Sequence, residues 1–187
     1  MKFRDIPNII SIVRILLVVP VVALILHGDY LAALLLFVIA GISDGIDGYL
    51  ARQFAWQSRL GSILDPVADK LLLIATFVSL SQVGLISVWL VIAAISRDLI
   101  IVGGALLFHY RIGEYDLKPS YISKFNTFMQ ILLVVSVLSL QITQIPLWVI
   151  DWIVTLTIMT IILSGLNYSF IWGRKALQTT HKNNSDD

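Results

Sequence analysis

The sequence predicts an all-α integral membrane protein with six transmembrane helices, and three observations lead there. The 187 residues are 58% hydrophobic and only 13% charged, with a mean hydropathy of +0.89, whereas a soluble domain carries about a quarter charged residues. Apolar runs of Leu, Ile and Val recur along the chain, and its length accommodates six spans of roughly 20 residues with short connections. The basic residues of the connections and termini alternate along that pattern, so that all of them collect on one side of a six-span layout. Six spans use up the chain, and residues 1–187 read as a single transmembrane domain.

The first span covers about 8–27 and ends at the turn signal "HGD". It is too long for a signal-peptide core and no small-residue cleavage site follows it, so it reads as a retained span. The second covers about 30–54, the third 60–82, the fourth 86–109, the fifth 119–141 and the sixth 146–173. The connections at 28–29, 83–85 and 142–145 hold no Lys or Arg. Lys2 and Arg4 at the N-terminus, Arg52 and Arg59 around the second connection, Arg111 and Lys118 around the fourth, and Arg174, Lys175 and Lys182 at the C-terminus mark the opposite side. The positive-inside rule makes that side cytoplasmic, and both termini with it. The polar tail from about 178 to 187 reads as disordered. There is no Cys, which excludes disulfides and thiolate metal sites.

The segment "SDGIDGYLARQFAWQSRLGSILDPVADK" forms the cytoplasmic ends of spans two and three. Residues three, four and seven apart share a helix face. Asp44, Asp47, Gly48 and Ala51 fit that spacing, as do Gly61, Asp65, Ala68 and Asp69. A short connection makes the two helices antiparallel neighbours, so four carboxylates can converge. Uncompensated, they are very costly near a bilayer. Arg52 and Lys70 offer partial pairing at most. Oxygen donors without His or Cys suit Mg²⁺, Mn²⁺ or Ca²⁺ rather than zinc, and four carboxylates suit two such ions. Gly45, Gly48, Ala51 and Gly61 leave room for a phosphate or nucleotide against the backbone. The bland alternative is a wet cytoplasmic vestibule lined by acids, which the spacing and the interleaved small residues disfavour.

Together these residues read D-x-x-D-G-x-x-A-R, eight residues, then G-x-x-x-D-x-x-x-D, spanning Asp44 to Asp69. This resembles the signature of the CDP-alcohol phosphatidyltransferases, with every fixed position present. The resemblance implies transfer of a phosphatidyl group from CDP-diacylglycerol to an alcohol with release of CMP. It implies Asp44, Asp47, Asp65 and Asp69 as ligands of two ions, Mg²⁺ or Mn²⁺, with Asp69 also the general base. It implies Gly48, Ala51 and Gly61 as the donor cradle; Arg52 either contacts phosphate or anchors its helix. The implied setting is membrane lipid, in a bacterial inner membrane or, in a eukaryote, the mitochondrial inner membrane. The resemblance leaves a homodimer open and no nucleic acid is expected as a partner.

"LGSILDPVADKLL", "ISRDLII" and "LKPSYISKFNT" are similar to the cardiolipin-synthase branch, which takes phosphatidylglycerol as acceptor. The rival branch takes glycerol 3-phosphate and usually has Arg-Glu in span four with a further Arg after it. Here the pair is Arg97-Asp98, followed by the apolar "LIIVGGALLF". Candidate acceptor residues are Arg97, Ser123, Lys124 and Asn126; Lys118 reads as an interfacial anchor. Two other classes compete. A cation transporter should carry polar residues through the whole membrane depth, yet the outer halves of the spans are apolar, Asp151 being the main exception. A membrane prenyltransferase would be longer, with two separated Asp-rich motifs.

Overall fold

The computed structural model describes the backbone of residues 6–53, 61–112, 120–144 and 146–183, and the side chains of 10–45, 67–104, 120–144 and 146–168. Among these residues there are six helices and no strand: α1 (Ile6–His27), α2 (Tyr30–Gln53), α3 (Gly61–Gln82), α4 (Val88–Ile112), α5 (Tyr121–Leu140) and α6 (Leu147–Asn183). The apolar runs become helices because a segment in hydrocarbon must satisfy its own backbone polar groups. Three stretches, Ile10–His27, Tyr121–Leu140 and Leu147–Tyr168, are long and apolar enough to cross a membrane, and Tyr30–Gly45 is a shorter apolar run.

Local chemistry sets the ends. Gly28 stops α1 with φ +81°; its N–H donates to the Ile25 carbonyl (3.1 Å) and that of Asp29 to Leu24 (2.9 Å), the left-handed ending that glycine makes at little steric cost. The Asp29 carboxylate then accepts from the Ala32 N–H (3.3 Å) and starts α2. Ser120 caps α5, its Oγ accepting from the Ser123 N–H (3.2 Å).

Helix α1 packs on α2 and α3, α5 on α6 and α2, and α4 on α3 and α6. The interior is aliphatic and aromatic, with Val21, Ile25, Ala33, Phe37, Leu80, Leu133 and Val137 buried. The exterior is apolar as well: Leu16, Val19, Ile39, Leu99 and Leu163 are exposed, the surface expected where lipid tails are the solvent.

Helix boundaries fall within a few residues of those expected, except at the end. Helix α6 runs beyond the expected end of the sixth span at about 173, to Asn183. After Gly173 the residues "RKALQTTHKN" contain neither Gly nor Pro, and Arg, Lys, Ala, Leu and Gln are good helix formers, so nothing local stops α6.

Candidate active site

The site grows from one arginine in an apolar helix. Arg14 lies in "IISIVRILLVV" of α1 and its side chain is only 2% exposed. A guanidinium stays protonated at any relevant pH and needs an anionic partner inside a membrane protein. It finds two. Nη2 of Arg14 donates to Oδ1 of Asp44 on α2 at 2.5 Å, and Nη1 donates to Oδ1 of Asp69 on α3. One planar cation thus ties three helices together through carboxylates brought from sequence separations of 30 and 55 residues.

The carboxylates are not sealed in. Asp44 and Asp69 are 33% and 46% exposed, and with Arg14 they line a cavity of about 140 Å³. Lys70 and Thr127 complete its polar wall, while Phe37, Gly41, Leu72, Leu73 and Ile131 form an apolar one. Its carboxylate and hydroxyl donors are oxygen alone, the chemistry that suits a hard divalent cation. Among the described residues no group of three or more potential metal ligands stands together. Asp47 and Asp65 are on α2 and α3, but their side chains lie outside the described residues, as do those of Ala51 and Arg52. Gly48 and Gly61 likewise fall where only the backbone path is described.

A second polar cluster begins at Lys70. Its Nζ donates to Oδ2 of Asp98 at 2.6 Å, while Nη1 of Arg97 donates to Oδ1 of the same carboxylate at 2.6 Å. Nε of Arg97 donates to Ser164 Oγ on α6 (3.0 Å), and Nη2 to Ser164 Oγ (2.6 Å) and to Ser123 Oγ on α5 (2.5 Å). All three guanidinium nitrogens are thereby engaged, and Arg97 is 4% exposed.

The candidate acceptor residues separate. Arg97 and Ser123 are in direct contact. Lys124 is on the outer face, its Nζ 5.9 Å from the Tyr121 ring centroid. Asn126 is buried and its Oδ1 accepts from Thr160 Oγ1 at 3.0 Å. Lys118 lies outside the described residues. Lys70 turns to Asp98 rather than to the aspartates of its own motif, and the counter-charge for Asp44 and Asp69 is Arg14. Arg14 lies outside the aspartate motif, within the first span. The available signal was a lone cation within an apolar run, which must find an acid. Ser164 gave no signal at all, since a hydroxyl in a span is commonplace.

The sequence is similar to those of known proteins. Residues 4–167 match the CDP-alcohol phosphatidyltransferase family. A rat protein named cardiolipin synthase (CMP-forming) is 39% identical over 150 residues, covering 72% of this chain and 50% of its own length. A rice chloroplastic CDP-diacylglycerol–glycerol-3-phosphate 3-phosphatidyltransferase is 31% identical over 197 residues, covering 93% of this chain and 60% of its own. A Bacillus subtilis protein of the latter activity is 34% identical over 150 residues, covering 72% and 76%. The chain spans about half the length of the rat relative it matches. With a match over most of its length, and Asp44 of α2 and Asp69 of α3 meeting at one cavity, the chain belongs to the CDP-alcohol phosphatidyltransferase family.

Proposed function

We propose that this protein makes phospholipid, transferring the phosphatidyl group of CDP-diacylglycerol to a glycerol-type alcohol and releasing CMP. The observation that carries the reading is the convergence of Asp44 and Asp69, both partly exposed, on one cavity between neighbouring helices. In this reading all six helices span the membrane, both termini are cytoplasmic, and the cavity lies at the cytoplasmic ends of α2 and α3, the side marked by basic residues.

Asp44, Asp47, Asp65 and Asp69 would hold two divalent cations, Mg²⁺ or Mn²⁺, which would supply positive charge to the donor diphosphate and the departing CMP. Gly48, Ala51 and Gly61 leave space for the cytidine diphosphate, with Arg52 at its edge. Asp69 accepts the proton of the acceptor hydroxyl. The hydroxyl oxygen forms a bond to the phosphatidyl phosphorus, the bond from that phosphorus to the bridging oxygen breaks, and its electron pair leaves with CMP. The apolar wall of Phe37, Leu72, Leu73 and Ile131 keeps the hydroxyl in a poorly hydrated place, where the Asp69 carboxylate faces less competition from water.

Phosphatidylglycerol is the favoured acceptor, giving cardiolipin. Two observations support this. The more identical of the relatives described above is named cardiolipin synthase. Capture of glycerol 3-phosphate from water requires cations available to a dianion, and among the described residues Lys70 and Arg97 are both paired with Asp98. The relatives named for glycerol 3-phosphate keep that acceptor as the second reading. The test is to supply purified protein with CDP-diacylglycerol and both acceptors and identify the lipid formed. Cardiolipin with stoichiometric CMP is expected. Phosphatidylglycerolphosphate alone overturns the acceptor and keeps the reaction class; no CMP with either overturns the reaction.

A further inference from the structure

We infer that Arg14 is an internal counter-ion, occupying the carboxylate pair while the site holds no cation and yielding it when cations bind. The inference rests on the reading above that Asp44 and Asp69 hold divalent cations, and adds a residue outside the motif that controls how readily they do so.

Asp44 and Asp69 line a cavity whose other wall is aliphatic and aromatic. Two ionised carboxylates lining one small cavity repel each other. Arg14 relieves this by placing one nitrogen on each carboxylate, Nη2 on Asp44 and Nη1 on Asp69. The arrangement needs an arginine, because a planar fork can serve two acceptors at once and does not lose its proton on burial. It also faces the cavity: Arg14 is itself one of the lining residues.

The same placement sets up a competition. The Oδ1 atoms that accept from Arg14 belong to the carboxylates a cation would use, and a cation within a few ångströms of a guanidinium is repelled by it. Arg14 therefore stabilises the empty protein and weakens cation binding. Arg14 acts through the aspartates and is a positioning residue, not a catalytic one. Since α1 carries it and packs on both α2 and α3, loading of the site is coupled to how α1 sits.

The experiment titrates chelator-stripped, full-length protein in detergent with Mn²⁺, followed by electron paramagnetic resonance, for wild type, Arg14→Met and Arg14→Lys. Thermal unfolding is measured in EDTA and in saturating Mg²⁺. Arg14→Met should bind Mn²⁺ at least about tenfold more tightly, melt well below wild type in EDTA, and recover most of that loss in Mg²⁺. Arg14→Lys keeps the charge as a single point donor and should fall between the two in both measurements. Should the Met variant not be isolable, the Lys variant decides by the same two signs. Unchanged or weaker Mn²⁺ binding in the variants, or an equal melting deficit with and without Mg²⁺, overturns the counter-ion role. Absence of Mn²⁺ binding in wild type overturns the cation reading itself, a result distinguishable from the first.

Discussion

Two buried arginines, Arg14 on α1 and Arg97 on α4, belong to polar clusters that each include a residue of α3, and their surroundings differ in one respect. Arg97 donates to one carboxylate and two hydroxyls that other helices supply, and its partner Asp98 is only 12% exposed. Arg14 donates to two carboxylates that are a third and nearly a half exposed on a cavity wall. The first arrangement is complete: Asp98 is shared by Lys70 and Arg97, the serines fill the remaining donors, and the result joins α3, α4, α5 and α6. The second is complete only until something else claims the carboxylates. A buried ion pair is weak evidence of stabilisation in either case, but the two clusters divide by what removal should expose. Loss at Arg97 should damage the scaffold, and change at Arg14 or its partners should be felt in the chemistry.

The comparison can be broken most decisively with the carboxylates. Asp69→Asn should lower turnover about 10²–10⁴-fold, the usual cost of losing a general base, while CDP-diacylglycerol still binds; Asp98→Asn should leave catalysis far less affected and lower the melting temperature instead. Equal turnover loss in the two variants would erase the distinction. Next in size is Arg97→Met, which leaves Asp98 with Lys70 alone. Breaking a buried pair costs about 3–5 kcal/mol, so thermal unfolding should shift sharply and by the same amount in EDTA and in Mg²⁺. Ser164→Ala removes the acceptor of two donors of Arg97 and should cost about 1.5–3 kcal/mol, again without cation dependence. The smallest effect belongs to Gln130, buried beside Asp98 at a cavity of about 10 Å³, with neither amide atom partnered among the described residues. Gln130→Leu removes two unsatisfied groups and should change stability by less than about 1 kcal/mol in the unfavourable direction, or raise it. A larger loss would mean that a water, for which the cavity has just enough room, completes the cluster there.

These contrasts follow what could and could not be read from the chain. Helix positions were legible because apolar runs end at turn residues such as Gly28 and Gly84, both with positive φ. The motif was legible because Asp44 and Asp47 on one helix, and Asp65 and Asp69 on the next, repeat at helical spacing. Which helix faces which was not legible. The Arg14–Asp69 contact joins residues 55 apart, and that of Arg97 with Ser164 joins residues 67 apart; spacing along one helix carries no information about a partner on another. The same limit hides the partner of Lys70, whose neighbour in sequence is Asp69 but whose ion-pair partner in space is Asp98. The length of α6 was missed for a different reason: a polar run suggests solvent exposure, and exposure alone does not end a helix whose residues have good propensity.

Under the proposed function, phosphatidyl transfer takes place at the carboxylate pair bridged by Arg14, with divalent cations. Release of CMP from CDP-diacylglycerol, measured with acceptor lipid present in EDTA and again after Mg²⁺ is restored, tests it most directly. The account predicts no release in chelator, full release on adding Mg²⁺ or Mn²⁺, and no recovery by either ion in Asp69→Asn. Release at the full rate in EDTA, or an undiminished rate in Asp69→Asn, would contradict it.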